Sequence, residues 1–150
     1  MRSLLDTNIL VYADAADDPV KQRRAIDLIK ALREDGSAVI STQVLQEYVN
    51  VALRKLRLPH ALVRERINFY RRFETVPASA ELISGALDLH TLHSLSFYDA
   101  LIIQAAMVSG CQRVLSEDMQ HGATVGGVLI VNPFLPADTS PTRPARAKRR

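Results

Sequence analysis

Cysteine is almost absent from this sequence: Cys111 is the only one among 150 residues. That excludes an internal disulfide framework and suits a reducing cytosol. No cluster of cysteine and histidine is present that would favour zinc. Long apolar runs are missing as well. The longest stretch without Asp, Glu, Lys or Arg is Met119 to Ala137, and it carries Gln120, His121, three glycines, Asn132 and two prolines, which excludes a membrane span. At the amino terminus Asp6 interrupts the apolar run that follows Arg2, so no signal-peptide apolar region forms. The chain therefore reads as soluble and cytoplasmic. No internal repeat is found.

Apolar residues make up 47% and charged residues 23% of the chain, enough to bury the core of about one domain. The formal charge of +3 is unevenly placed. Five of the 19 cationic side chains, Arg143, Arg146, Lys148, Arg149 and Arg150, fall in the last eight residues. Residues 1 to 140 hold 14 basic against 16 acidic residues, a net −2. From Pro136 onward the chain is Pro, Ser, Thr, Ala, Arg and Lys with little to bury, so residues 1–135 read as the folded domain and 136–150 as a flexible basic tail.

Strand-length apolar runs alternate with longer helical periodicities, the pattern of an α/β domain with a mainly parallel sheet. Strands are expected at Ser3–Leu5, Ala38–Ile40, Thr75–Val76, Val114–Ser116 and Val128–Val131. Asp18-Pro19 opens a helix that Gly36 closes, and Thr42 starts another running to about Leu56. Pro59 precedes a helix over 60–73, Ser79 caps one through about Leu92, and Phe97 to Gly110 is the most apolar of all.

Most charged residues need only solvent to explain them. Four acids stand apart. Asp6 follows the first strand and Asp118 lies just beyond another, so both fall at carboxyl ends of strands, the edge where open parallel sheets bind ligands. The plainer reading of Asp6-Thr7-Asn8 is an Asx-type turn capping the next helical turn, and Asp118 beside Glu117 also suits a turn. Glu47 sits at the border of an apolar helical stripe formed by Val44, Tyr48, Val51 and Ala52, where a solvated rim residue is the ordinary expectation. Ser96-Phe97-Tyr98-Asp99 fits a capping box, yet the helix it opens is nearly all core, which aims its first turn at the sheet edge. Carboxylates gathered at one edge repel one another unless a cation neutralises them. A hard, oxygen-rich donor set suits Mg²⁺ or Mn²⁺ and thereby phosphate chemistry.

Asp6-Thr7-Asn8, Glu47 in mid-helix, Ser96-Phe97-Tyr98-Asp99-Ala100 and Ser116-Glu117-Asp118 together resemble the ordered acidic signature of PIN-domain nucleases. The likeness is closer still to the VapC-type toxins of toxin–antitoxin pairs. Leu10-Val11-Tyr12-Ala13, Ser41 through Glu47, Gly122 after His121, and Val131-Asn132-Pro133-Phe134 add to it, and it spans about residues 3 to 134. The resemblance implies a three-layer α/β/α domain around a mainly parallel sheet, a metal-dependent endoribonuclease, an inhibiting antitoxin and a homodimer. By position it implies Asp6 and Asp99 as direct metal ligands and Asp118 as a ligand directly or through water. Glu47 would prepare the attacking water, with Asn8 and Ser116 in support. Glu117 is the ambiguous neighbour of Asp118, and the basic tail is outside the family pattern.

Between Arg54 and Arg72 lie Arg54, Lys55, Arg57, Arg64, Arg66, Arg71 and Arg72 against one acid, Glu65. Two solvated helix faces would explain them, as would a surface that tracks RNA phosphates. Phe69, Tyr70 and Phe73 share helical spacing with Ile67 and read as core. His90 and His93, one turn apart, lack a third ligand, His121 reads as a loop hydrogen-bonding residue, and Cys111 as packed. A phosphatase with Asp6 as nucleophile fits less well, because position 8 is Asn where such a site needs a second Asp. The remaining rival is a nucleic-acid-binding or antitoxin-binding module without catalysis, whose binding would survive a chelator.

Overall fold

A computed structural model describes residues 1–136. Six strands form one sheet: β1 (Ser3–Leu5), β2 (Ala38–Ser41), β3 (Glu74–Val76), β4 (Arg113–Leu115), β5 (Thr124–Val125) and β6 (Val128–Val131). Six helices join them: α1 (Thr7–Ala13), α2 (Pro19–Glu34), α3 (Thr42–Arg54), α4 (His60–Tyr70), α5 (Ala80–Leu92) and α6 (Phe97–Val108). The sheet order is β3-β2-β1-β4-β6-β5, parallel throughout except for the antiparallel edge pair β5–β6. Helices cover both faces of the sheet, α1–α4 in one layer and the α5–α6 hairpin in the other, giving three α/β/α layers.

Central strands buried on both faces must be apolar along their whole length. Leu4 pairs with Val39 on one side and Val114 on the other, and Val114 with Ile130; none is more than 1% exposed. α6 places more residues in the core than any other helix: Ala100, Ile102, Ile103, Ala105 and Ala106. The strand order runs outward from β1 to β3 in one direction and from β4 to β6 in the other. The gap between the carboxyl ends of β1 and β4 is therefore the switch point of the sheet, where two diverging connections leave a crevice.

Expected boundaries move by one to three residues. β2 runs on to Ser41, whose hydroxyl caps α3 by accepting from Val44 N–H at 3.2 Å. β4 starts at Arg113 and ends at Leu115, leaving Ser116 just beyond it. α2 begins at Pro19 with Asp18 accepting from Lys21 N–H, and Gly36 and Gly110, at φ 70° and 69°, follow their helices. Two elements went unread in the sequence. α1 adds two helical turns after Asp6. β5 forms a hairpin with β6 through Gly126-Gly127, both at positive φ, which is the two-residue turn that matches strand twist. The Gly-Gly pair was the available signal.

Candidate active site

Asp6 and Ser116 are the first residues past their paired strands, and backbone bonds hold both at the switch point. Asp6 N–H donates to Leu115 O and Ser116 N–H to Val131 O, each at 3.0 Å. Asp6 caps α1 in extended geometry, its Oδ1 accepting from Thr7 N–H at 2.7 Å. Its Oδ2 accepts from the buried Ser116 hydroxyl, also at 2.7 Å. Asp6 thus caps the helical turn, through the next amide rather than the one two residues on that an Asx turn uses, and this fixes the carboxylate rather than exhausting it. Ser116 Oγ also accepts from Asp118 N–H at 3.2 Å. Asn8 closes the frame: Nδ2 donates to Asp118 Oδ2 at 3.1 Å, and Oδ1 accepts from Glu117 N–H at 3.3 Å.

Glu47 reaches the same edge from α3. It accepts from Thr7 Oγ1 at 2.7 Å and from Gln43 Nε2 at 3.0 Å, so it is half-buried and oriented, not a free rim residue. Thr7 is a supporting residue that the sequence pattern did not reveal; its place directly after Asp6 was the only clue. Asp99 enters from the first turn of α6, where its N–H donates to Ser96 Oγ at 3.1 Å, the forward half of the expected capping box. Glu117 turns away from the other acids, and its Oε1 accepts from Lys21 Nζ at 2.7 Å and from Tyr12 Oη at 3.2 Å.

The acids feel one another. Burial pushes the Asp6 carboxyl up to about 6; its bonds from Ser116 and Thr7 oppose that rise, while the charges of Glu47 and Asp118 add to it. Burial also raises Asp99, against the Ser96 hydroxyl, and Asp118 and Glu47 again push in the same direction. Such crowding of negative charge is what a bound cation relieves. Among the described residues no three His, Cys, Asp or Glu side chains stand close enough together to hold a metal ion between them. The oxygen donors of Asp6, Asp99 and Asp118 are of the type that hard divalent cations take.

Asp118 borders two clefts. One, of about 510 Å³, is lined by Thr7, Asn8, Glu47 and Asn50 and reaches Lys55. The other, of about 360 Å³, runs past Ser96, Asp99 and Gln120 to His93. Of the seven cations singled out, only Lys55 lines either of these clefts. Arg54, Arg57, Arg64, Arg71 and Arg72 are exposed, and Arg72 lines a cleft with Ala38 and Glu74 at the opposite, amino-terminal edge of the sheet. Arg66 is committed to Asp14, at 3.0 Å from Nε and Nη2, where Tyr48 Oη also donates at 2.5 Å.

The remaining candidates are structural. His90 Nδ1 donates to Leu95 O at 2.6 Å, and His121 Nδ1 accepts from Asn132 N–H at 2.9 Å. Cys111 is buried, with burial raising its thiol pKa. Tyr70 and Phe73 are core residues stacked edge-on with Phe69.

A doubly wound α/β domain with carboxylates converging at its switch point defines a class: hydrolytic or phosphate-handling domains built around an acidic sheet edge. The PIN domain family model matches residues 3–124, and the chain belongs to that family. It is 29% identical over 118 residues to Ribonuclease VapC7 of Mycobacterium tuberculosis, an alignment that covers 77% of this chain and 81% of the relative. Its fold matches a toxin–antitoxin complex from Klebsiella pneumoniae with a TM-score of 0.68 at 20% identity, covering 87% of this chain and 97% of that one. VapC20 of Mycobacterium tuberculosis, a sarcin–ricin loop cleaving toxin, matches with a TM-score of 0.61 at 20% identity, covering 77% of this chain and 89% of that one.

Proposed function

We propose that this chain is a metal-dependent endoribonuclease that hydrolyses RNA phosphodiester bonds as the toxin of a toxin–antitoxin pair. The observation that carries the reading is the convergence of Asp6, Glu47, Asp99 and Asp118 at the switch point of the sheet, with Asp6 and Asp99 both raised by burial and by the same two neighbours. The ribonuclease relative and the toxin–antitoxin structures of the same fold support it.

In this reading Asp6 and Asp99 hold Mg²⁺, with Mn²⁺ as a substitute. When bound, the ion neutralises the carboxylates, aligns the scissile phosphate and stabilises charge on the leaving oxygen. Glu47, fixed by Thr7 and Gln43, orients a water for in-line attack and takes its proton. Asp118 completes the acidic set directly or through water, held in place by Asn8 and by its own N–H on Ser116. Lys55 is the cation best placed to meet the RNA backbone, with Arg54, Arg57, Arg64, Arg71 and Arg72 widening the electrostatic surface. Residues 1–135 form the nuclease domain and 136–150 the basic tail. The partner is a cognate antitoxin, and the protein acts in the cytoplasm; among the described residues no helix is long and apolar enough to cross a membrane.

RNA cleavage by the purified protein with Mg²⁺ or Mn²⁺ tests this. Asp6→Asn and Asp99→Asn are each expected to lower the rate at least about 100-fold, because each removes a charge that the cation needs. Variants as active as wild type overturn the assignment. A protein that binds RNA in excess chelator and never cuts it is instead a binding module of the same fold. A small antitoxin-like reading frame adjacent to the gene, whose product blocks cleavage, is the corresponding expectation for the partner.

A further inference from the structure

The loop after β4 carries Asp118 on its exposed side and Glu117 on its inner side, and the inner side is tied down more firmly. Lys21 Nζ, on α2, stands 2.7 Å from Glu117 Oε1 and 3.3 Å from Tyr12 Oη, and Tyr12 Oη also reaches Glu117 Oε1. The pair is partly shielded, with side chains 32% and 24% exposed. Its second carboxylate oxygen, Glu117 Oε2, is buried with no hydrogen-bond partner, so the neutralisation of this acid rests on Lys21. Lys21 is itself confined. Its ammonium lies 4.8 Å from the centre of the Tyr12 ring and 5.7 Å from that of Phe134, rings that meet edge-on at 4.9 Å. The segment bearing Phe134 is anchored in turn, with Arg24 Nε donating to Pro133 O at 2.9 Å. Lys21 thus binds four parts of the chain together: α2, α1, the loop after β4 and the segment after β6.

We propose that Lys21, acting through Glu117, is a positioning residue for Asp118. The geometry leaves the Asp118 carboxylate one side-chain tether, the Asn8 amide, and the same Asn8 accepts from Glu117 N–H. Glu117 and Asp118 are successive residues, so the angle at which Asp118 meets the crevice is set by where Lys21 draws Glu117. Without Lys21, Glu117 keeps a buried unpaired oxygen and only the Tyr12 hydroxyl; swinging toward water relieves it and carries Asp118 off the Asn8–Ser116 frame. Partners of this kind, one step removed from a metal site, commonly change affinity or activity 10- to 100-fold. The proposal rests on the acidic site being the nuclease centre, and its test separates the two.

The first readout needs neither metal nor activity: backbone amide exchange of the metal-free protein at Glu117 and Asp118, whose N–H groups donate to Asn8 and Ser116. Lys21→Gln is expected to accelerate exchange at both at least about 10-fold while leaving the core strands protected. The second is Mn²⁺ affinity by calorimetry, and the third is kcat against KM on RNA. Both Mn²⁺ affinity and kcat are expected to fall about 10-fold or more with KM unchanged, and Lys21→Arg restores most of each. Glu117→Gln keeps the size of the side chain but removes the ion pair with Lys21, and gives the same test should Lys21→Gln not fold. Since both act through one contact, the double variant is expected to lose no more than the worse single. Unchanged exchange and Mn²⁺ affinity in Lys21→Gln, or losses that multiply in the double variant, overturn the proposal. A wild-type protein that never cuts RNA sinks the nuclease reading instead, and the exchange measurement still decides the positioning role.

Discussion

Asp6 stores free energy that the metal-free protein releases on mutation. Its carboxyl is raised from 3.8 to about 6 in the folded state, so the folded chain binds that proton more tightly than the unfolded chain does. The sign follows: the contribution of Asp6 to stability is complete below about pH 4 and is lost as pH rises through about 6. A shift of this size is worth about 3 kcal/mol at neutral pH. Asp6→Asn keeps the side chain's shape and an acceptor for Thr7 N–H but disturbs the bond from Ser116, which returns about 1 kcal/mol of the gain. Thermal melts of metal-free protein at pH 7.5 are therefore expected to show Asp6→Asn about 2 kcal/mol more stable than wild type, with the difference gone between about pH 4 and 5 and reversed below that. Mg²⁺ then stabilises wild type and leaves the variant unmoved. A variant less stable than wild type at pH 7.5 without metal contradicts the burial argument. At this scale the sequence showed the acids and not their fastenings. Asp6, Glu47, Asp99 and Asp118 stand out because each breaks a local expectation, whereas the Thr7–Glu47, Lys21–Glu117 and Arg66–Asp14 contacts join residues 40, 96 and 52 positions apart, which no local pattern encodes.

Elements were legible where the chain announces their ends. Ser41, Ser79 and Ser96 each cap the following helix through their hydroxyl, and Asp18-Pro19 and Gly36 bound α2. α1 escaped notice because it is only seven residues long, and β5 because it has two. Tertiary exposure was also invisible. Of the nine large hydrophobic side chains left exposed among the described residues, six lie on the α5–α6 hairpin: Ile83, Leu87, Leu92, Tyr98, Met107 and Val108. Ile83 and Leu87 are one turn apart and so share a face of α5. The homodimer that the family resemblance implies is tested on this pair, since an exposed apolar face is where such an association would form. Light scattering on the wild-type protein is expected to report a dimer, and Ile83→Glu with Leu87→Lys to give a monomer with an unchanged melting profile of its secondary structure. A wild-type monomer at micromolar concentration, or a dimer indifferent to both changes, places the surface elsewhere.

The charge of the whole molecule divides in a way that the fold makes useful. The body at −2 presents its acids at the switch point, a poor field for drawing in RNA, while five cations sit in the final eight residues. Those cations lie outside the described residues, but the point where the described chain stops does not. Phe134 packs on Tyr12 and beside Lys21, which holds Glu117 next to Asp118, so the described chain ends at the flank of the acidic site. Fourteen residues span at most about 50 Å, ample to reach RNA lying across either cleft. Cations that reach the RNA backbone add counterion release without touching the chemistry. Deleting residues 138–150 is therefore expected to weaken RNA binding at low salt and to reduce the slope of log affinity against log salt by up to about 3.5, five single-strand phosphate contacts at about 0.7 each. The maximal cleavage rate at saturating RNA stays as it was, because the four carboxylates and their fastenings all lie within residues 6–134, ahead of the deletion. A salt titration that superimposes on wild type removes the tail from RNA binding, and a fallen kcat at saturation makes it part of the site.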